Sequence, residues 1–368
     1  MNTPRILVGA IAALSLVASP IQAGLTDGMK DGAVSLKSAG PLAFGPEGIL
    51  FVADPKAAAV YAVATGDTTA GEAKTFKVEG IAQKISGLLG TAPDQILIND
   101  MAVNPVSRSV YLAVSRGRGP EAAAVIIRVK PDGTVEAVDL AKVKSSRLEL
   151  ANPPADAVVG QGNRQSNPRT ESITDIGYFE DRVLIAGLSN EEFASSLRDV
   201  RFPFTGAAGE TSVEIYHGAH GKFETRSPVR TFVPIIVGDE PSVLAAYTCT
   251  PLVHFPLSEL KPGAKIRGKT IAELGNRNRP LDMISYQKDG KQFLLLANSA
   301  RGVMKIPADK IIEAPGITTR VPDKEGVGYE TIEAWKGIEQ LDRMDDKTAM
   351  VLARGEGDAL TLEARDLP

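Results

Sequence analysis

Three aspartates stand at equivalent points of a recurring strand pattern and are the side chains best suited to bind a cation. Asp100, Asp175 and Asp282 each lie at the entrance of a predicted strand. With amide oxygens such as those of Asn99 and Asn298, they would provide the several oxygen ligands that Ca²⁺ or another hard divalent cation needs. Alternatively, each carboxylate accepts hydrogen bonds from backbone amides of its own turn. The sequence leaves both roles open.

The single cysteine and the three histidines could also bind a metal. Cys249 and His254 have the Cys-x4-His spacing of the ligand loop in some cupredoxins. A blue-copper site also needs a second His and usually an axial Met, but Leu257 begins the stretch where that Met would lie. His217 and His220 flank a glycine-containing segment between two strand ends, which is typical of a β-turn. The sequence therefore favours structural roles for these residues.

The elements that would position these side chains recur six times. Each copy has an apolar strand opened by a polar residue, a strongly apolar second strand and, in most copies, a third strand. The second strands are 49–54, 110–116, 183–190, 242–247, 293–299 and 349–354. Short β-rich repeats predict the blades of a propeller. Because only short helical candidates separate the strands, we expect an all-β, six-bladed propeller and not a parallel α/β fold.

One face of such a propeller collects the functional candidates. The loop that enters the innermost strand and the loop between the second and third strands emerge on the same side of each blade. Binding residues concentrate in loops carried by a rigid scaffold. The ligand-binding candidates on this face are Asp100, Asp175, Asp282, Asn99, Asn298, Arg116, Arg279, Arg301 and Tyr247.

The N-terminus has the features of a secretory signal peptide. Arg5 precedes an apolar stretch over 6–18, and small residues lead to Ala23. We expect cleavage after Ala23, which leaves a single propeller domain over 24–368. No later segment approaches the 18 apolar residues of a membrane span. The sequence therefore predicts a periplasmic or secreted protein with no membrane insertion of the mature chain.

Composition excludes several other classes of protein. Hydrophobic residues are 43% and charged residues 23% of the chain, which is typical of globular proteins and not of disordered ones. The net charge of −4 becomes −5 without Arg5, and no basic run exists, so we expect no nucleic-acid partner. Because Cys249 is the only cysteine, no intrachain disulfide can form.

The strand rhythm and the segment 45–54 resemble the six-bladed β-propeller superfamily that includes NHL-repeat and SMP-30/gluconolactonase-like proteins. The resemblance covers most of the mature chain. In SMP-30-like enzymes, acidic and Asn side chains at the channel mouth hold a divalent metal. Their ligands have no residue-by-residue match in this sequence.

Two functions are consistent with these features. The first is an exported, non-catalytic protein that binds a small molecule or an exported protein partner on its loop face, because the sequence shows no catalytic triad and no strict metal motif. The alternative is a metal-dependent hydrolase or lactonase of SMP-30-like type, with Asp100, Asp175 and Asp282 as metal ligands or as the base.

Two further segments carry structural expectations. The last repeat ends near the C-terminus, so the last blade needs an outermost strand from elsewhere, and the alternating segment 32–37 is predicted to supply it and close the ring. The segment from about 142 to 170 shows no strand rhythm. It is predicted to be a polar insertion, either a cover over the functional face that uses Arg164 and Arg169 or a solvated loop.

Overall fold

The strands of the protein form six mainly antiparallel sheets around a central channel. The computed structural model describes residues 24–71, 76–162, 165–249 and 251–368. The six sheets are the blades of a β-propeller, so the predicted all-β fold is confirmed. We number the blades by the order in which their innermost strands occur in the sequence.

The first three blades contain between four and six strands. Blade 1 is β1 (Lys30–Gly32), β2 (Leu42–Phe44), β3 (Ile49–Asp54), β4 (Ala59–Ala64) and β10 (Val143–Glu149). Blade 2 is β6 (Ile96–Val103), β7 (Val110–Arg116), β8 (Ala123–Val129) and β9 (Val135–Ala137). Blade 3 is β11 (Asp175–Phe179), β12 (Arg182–Leu188), β13 (Ser195–Arg201), β14 (Thr211–His217), β15 (Lys222–Glu224) and β19 (Lys265–Arg267).

The remaining blades contain four or five strands. Blade 4 is β16 (Thr231–Val237), β17 (Glu240–Ala246), β18 (Pro251–Pro256), β20 (Lys269–Leu274) and β24 (Lys324–Gly326). Blade 5 is β21 (Pro280–Lys288), β22 (Lys291–Asn298), β23 (Gly302–Pro307) and β25 (Glu330–Thr331). Blade 6 is β26 (Ile338–Arg343), β27 (Thr348–Arg354), β28 (Leu360–Asp366) and β5 (Lys77–Glu79). The described residues also include the α-helices α1 (Ile81–Leu89) and α2 (Asp309–Glu313).

The second strand of each blade is strongly apolar because the neighbouring blades cover both of its faces. All six residues of β3 are buried, and each of the other five second strands has five consecutive buried residues. A strand buried on both sides shows a continuous apolar run instead of an alternating pattern. The core is therefore divided into layers between the blades.

The blades do not follow their sequence order around the ring. The innermost strands lie side by side in the order β2, β11, β16, β21, β26, β6 and back to β2. The ring therefore runs through blades 1, 3, 4, 5, 6 and 2. This order arises because the chain passes from blade 1 through β5 of blade 6 to blade 2, and then returns through β10 of blade 1 before it enters blade 3.

In blades 1 and 6, a strand from a distant part of the sequence sets this order. In blade 1, β4 pairs with β10, which follows blade 2 in the sequence. In blade 6, β28 pairs with β5, so that Leu362 lies opposite Val78. A strand from the N-terminal part of the chain therefore does complete the last blade, but it is Lys77–Glu79.

The assignment of that closing strand to 32–37 was wrong. Blade 6 already has β5 at its outer edge, and the buried Asp54 carboxylate draws the N-terminal segment towards blade 1. It accepts hydrogen bonds from the backbone amides of Lys37 (2.6 Å) and Ser38 (3.0 Å). Val34 packs in the core cluster formed by blades 1 and 2. The apolar residues Val34 and Leu36 of this segment pack against blades 1 and 2, and Gly32 lies in β1 at the outer edge of blade 1.

The segment 142–170 begins as a strand and continues as a loop. Its first part is β10, in which Leu148 is fully buried while most other side chains are polar and partly exposed, as an outer strand allows. The strand was missed because only one of its faces is covered. In the loop, the Arg169 guanidinium donates to the backbone oxygen of Pro154 (2.7 Å). Arg164 lies outside the described residues.

The predicted signal peptide, residues 1–23, also lies outside the described residues. Within the ranges that are described, no helix is both long enough and apolar enough to cross a membrane.

Candidate functional site

Four aspartates line the central channel, a cavity of about 530 Å³. They are Asp100 on β6, Asp175 on β11, Asp282 on β21 and Asp342 on β26. β-bulges lie immediately before Asp100 and Asp282, and a bulge redirects the side chains that follow it. The sequence interpretation did not single out Asp342, although it follows a Leu in its innermost strand just as Asp282 does.

Each of these carboxylates joins its blade to the next one around the ring. One oxygen accepts the backbone N–H of the neighbouring innermost strand. The pairs are Asp100 with Leu42 (2.6 Å), Asp175 with Phe232 (2.7 Å), Asp282 with Leu341 (2.8 Å) and Asp342 with Val103 (2.7 Å). All four bonds point the same way around the ring, and they connect four of the six blade junctions.

The second oxygen is used within the same strand. The Oδ1 atoms of Asp175, Asp282 and Asp342 accept the N–H of the residue that follows each of them. The proposed hydrogen bonds to the local backbone therefore exist, and the bonds between blades are added to them. Amides that a carboxylate satisfies in this way would otherwise face the channel without a protein partner.

Enclosure by the channel wall makes these carboxyl groups hold their protons more strongly. Burial raises the pKa of Asp175 to about 7 and that of Asp342 to about 6. Burial also raises the pKa of Asp100 and Asp282 well above the ordinary value, and the negative charges of the other channel aspartates raise both further. The aspartates are thus close enough to interact electrostatically.

The channel aspartates do not form a compact set of metal ligands. Among the described residues, one group of three or more His, Cys, Asp or Glu side chains has its ligand atoms within 4.8 Å of one another, and none of its members is a channel aspartate. A calcium ion held by Asp100, Asp175 and Asp282 stays a prediction, and their hydrogen bonds support a role in joining the blades.

A second cavity, of about 330 Å³, lies at the mouth of the channel. Its lining residues Pro41, Asn99 and Thr174 directly precede channel-lining residues, so this mouth cavity lies just above the aspartates. Its polar and charged side chains are Ser38, Lys56, Asn99, Ser115, Thr170, Glu171, Thr174, Arg230 and Arg279. The entrance of β6 and the end of β7 both reach it, as expected for a shared loop face.

The mouth cavity carries more positive than negative charge. Glu171 accepts a hydrogen bond from the Arg230 guanidinium at 2.7 Å, and Arg230 also donates to the hydroxyl of Thr248 at 3.1 Å. The Lys56 ammonium donates to the backbone oxygen of Pro120. Burial lowers the pKa of Arg279, and the nearby positive charge of Arg230 lowers it further. Among the residues that the structure describes, Glu171 is the only acidic side chain that lines this cavity.

Asn99 and Arg279 are the predicted ligand-binding residues that line the mouth cavity. The Asn99 amide donates to the backbone oxygen of Ala39 (2.8 Å) and to the hydroxyl of Ser115 (2.9 Å), which fixes its orientation. Lys56, Glu171 and Arg230 also line the cavity and were not among the ligand-binding candidates. Arg230 directly precedes an innermost strand, and that position was the available signal.

The other candidates lie elsewhere. Asn298 is buried and accepts a hydrogen bond from Asn278 (3.0 Å), and Tyr247 is buried in the core between blades 3 and 4. Arg301 pairs with Asp323 at 3.3 Å. Arg116 is exposed and does not line the mouth cavity.

The copper-loop spacing has no structural counterpart. His254 lies within β18, and its Nε2 atom is 2.8 Å from the hydroxyl of Ser242. Cys249 lies in the loop before this strand and approaches other histidines.

The known proteins that resemble this chain are distant in both sequence and structure. Neither the comparison with protein-family models nor that with curated proteins finds a match. Among solved structures, a glucose dehydrogenase-type oxidoreductase from Thermus thermophilus is 12% identical, with 92% of this chain and 100% of that chain covered and a TM-score of 0.34.

Two other solved propellers show the same degree of similarity. The PQQ-bound aldose sugar dehydrogenase of Streptomyces coelicolor is 11% identical, with 92% and 97% coverage and a TM-score of 0.30. A gluconolactonase-type protein is 10% identical, with 93% and 94% coverage and a TM-score of 0.29. The chain is a six-bladed β-propeller with gluconolactonase-like and aldose sugar dehydrogenase propellers among its structural neighbours. At these TM-scores, the similarities carry no argument about activity.

Proposed function

We propose that this protein is an exported propeller that binds a small anionic ligand in the mouth cavity without transforming it. The Arg279 guanidinium carries the proposal, because it lies beside Arg230 and its side chain has no hydrogen-bond partner among the described residues. Glu171 forms its ion pair with Arg230 and reaches Arg279 only through longer-range electrostatic attraction, so the N–H donors of Arg279 are left for a ligand.

The size and chemistry of the cavity support a small ligand. Its volume of about 330 Å³ falls within the range of small-molecule pockets, about 300–1,000 Å³. Guanidinium groups bind carboxylates and phosphates through paired N–H donors. Asn99 and Ser115 add polar groups that can orient the rest of the molecule.

Isothermal titration calorimetry with citrate, D-gluconate and inorganic phosphate tests this proposal, with glucose as the uncharged control. At least one anion should bind while glucose does not. Arg279→Gln should weaken that binding at least tenfold, since a charged hydrogen bond contributes about 1.5–3 kcal/mol. Arg116→Gln is the matched control, because Arg116 is exposed outside the mouth cavity. Equal binding by the Arg279 and Arg116 variants would remove the basis of the proposal.

Incubation with D-glucono-lactone and Ca²⁺ separates binding from catalysis. We expect the lactone to disappear no faster than in buffer alone. Hydrolysis that is lost in Asp282→Asn would instead favour the metal-dependent lactonase.

A further inference from the structure

His217, His220 and Cys249 come together on the same face as the mouth cavity, at the boundary of blades 3 and 4. His217 ends β14, and His220 lies in the turn to β15. Cys249 lies in the loop between β17 and β18 of the next blade. One ligand atom of each side chain lies within 4.8 Å of the corresponding atoms of the other two. Two blades thus contribute nitrogen and sulfur atoms to one point.

A single carboxylate orients both histidines. The Glu224 oxygens lie 3.1 Å from His217 Nδ1 and 2.6 Å from His220 Nδ1. Ser227 donates a hydrogen bond to the same carboxylate. A carboxylate bound to one ring nitrogen is the usual outer partner of a metal-binding histidine, because it fixes the ring and leaves the other nitrogen available.

The available nitrogen of His217 needs a partner. His217 is only 3% exposed, and its Nε2 atom is buried without a hydrogen bond in the described part of the chain. A buried polar atom without a partner is costly unless something binds it. The histidine rings lie side by side, with their centres 3.8 Å apart. A ligand shared by both rings would satisfy this atom.

The cysteine is held in place by its backbone. Cys249 has a φ of 63°, a left-handed conformation that non-glycine residues rarely adopt. Its amide donates to the backbone oxygen of Asn278 at 2.9 Å. The backbone of Cys249 thus holds a conformation in which the sulfur lies near the histidines of blade 3.

A buried glutamate side chain lies beside the cluster. Glu273 is 1% exposed, and its Oε1 atom accepts the backbone N–H of Gly218, which directly follows His217, at 2.5 Å. Its Oε2 atom is buried and has no hydrogen-bond partner among the described residues. The negative charge that favours a cation comes from the Glu224 carboxylate, which contacts both histidines.

We propose that His217 Nε2, His220 Nε2 and Cys249 Sγ bind one Zn²⁺ ion. Imidazole and thiolate are the ligands that Zn²⁺ prefers, and three protein ligands leave a fourth tetrahedral position open. Because the side chain of His220 is 47% exposed, solvent can reach that position.

The proposed ion would link two blades beside the mouth cavity. Thr248, which precedes Cys249, accepts a hydrogen bond from Arg230, and Asn278, which receives the Cys249 amide, precedes Arg279. Zinc would thereby help to position the two arginines without touching the ligand.

Calorimetric titration of the metal-free, full-length chain with ZnCl₂ tests the site. We expect one ion per chain and at least tenfold weaker binding by Cys249→Ser, and 10- to 100-fold weaker binding by Glu224→Gln because its carboxylate orients both rings. His254→Gln is the matched control, since His254 bonds to Ser242 outside the cluster. It should bind Zn²⁺ like the parent.

Substitution of Co²⁺ for Zn²⁺ adds a direct readout of the sulfur ligand. The parent and His254→Gln should show a thiolate-to-cobalt absorption band, and Cys249→Ser should lack it while retaining the circular dichroism spectrum of the parent. No saturable Zn²⁺ binding by the parent, or equal binding by Cys249→Ser, would overturn the proposal.

Discussion

The channel aspartates and the cluster of His217, His220 and Cys249 both bring metal-ligand side chains together. The two regions differ in which of their ligand atoms are already used in hydrogen bonds. In the channel, Asp175, Asp282 and Asp342 use both carboxylate oxygens for backbone N–H groups. In the cluster, Glu224 occupies one nitrogen of each histidine, and the buried Nε2 of His217 has no partner among the described residues.

The difference shows that convergence of suitable residue types does not define a site. The hydrogen bonds already made by each atom determine what it can still bind. The protonation of the two regions differs in the same way. Burial raises the pKa of the channel carboxyl groups, whereas hydrogen bonds from His217, Ser227 and His220 lower the pKa of Glu224. The channel carboxylates stabilise the ring, and the cluster is free to bind a ligand.

Removing two channel carboxylates should give the largest effect. Asp282→Ala with Asp342→Ala breaks the bonds on both sides of blade 6 and leaves backbone N–H groups without acceptors. The free energy of unfolding should fall by roughly 4 kcal/mol, since each unsatisfied buried group costs about 1–3 kcal/mol. Urea unfolding at pH 5.5, where carboxyl groups with raised pKa are more protonated and repel one another less, measures the change.

Cys249→Ser is the matched variant for the cluster. Without metal, it should change the free energy of unfolding by no more than about 0.5 kcal/mol, because it breaks no bond between blades. If this variant were destabilised as much as the double aspartate variant, the contrast between the two regions would be lost.

A smaller effect should appear in the pH dependence of stability. The native pKa of Asp175 is about 7 and that of Asp342 is about 6, above the ordinary value of 3.8. At pH values between the ordinary pKa of 3.8 and these raised native pKa values, the native state binds more protons than the unfolded state. The stability due to these groups is therefore present at low pH and lost as the pH rises through about 6 to 7. The urea concentration at the midpoint of unfolding should therefore decrease as the pH is raised from 5 to 8.

The contribution of the aspartates to the pH dependence of stability can be separated from that of His254, which has the opposite sign. Burial lowers the pKa of His254, which makes stability rise with pH in the same range, so the comparison is best made in His254→Gln. Adding Asp175→Asn and Asp342→Asn should flatten the fall. An unchanged slope would mean that other groups cause the pH dependence.

The fold and the channel aspartates could be predicted from the sequence because both depend on local repetition. The apolar second strands mark the blades, and equivalent positions in different blades place Asp100, Asp175 and Asp282 at one channel. Asp342 follows the same pattern and could have been identified. The role of these carboxylates depends on contacts between blades, which no single repeat reveals.

The sequence predicted that an N-terminal strand closes the ring, but the identity of that strand and the cluster could not be predicted, because both depend on non-sequential neighbours. The strand Lys77–Glu79 is too short for a clear alternating pattern, and its partner Leu360–Asp366 lies at the other end of the chain. Cys249 meets His217 and His220 only because blades 3 and 4 are adjacent in the ring. The spacing of these residues in the sequence carries no sign of that contact.

The most direct test of the distinction between the two regions is anomalous X-ray diffraction. Data would be collected on either side of the zinc absorption edge from crystals of the full-length protein grown with one equivalent of ZnCl₂. We predict one strong anomalous peak between His217, His220 and Cys249 and none in the channel. A peak among Asp100, Asp175 and Asp282, with none at the cluster, would contradict the account.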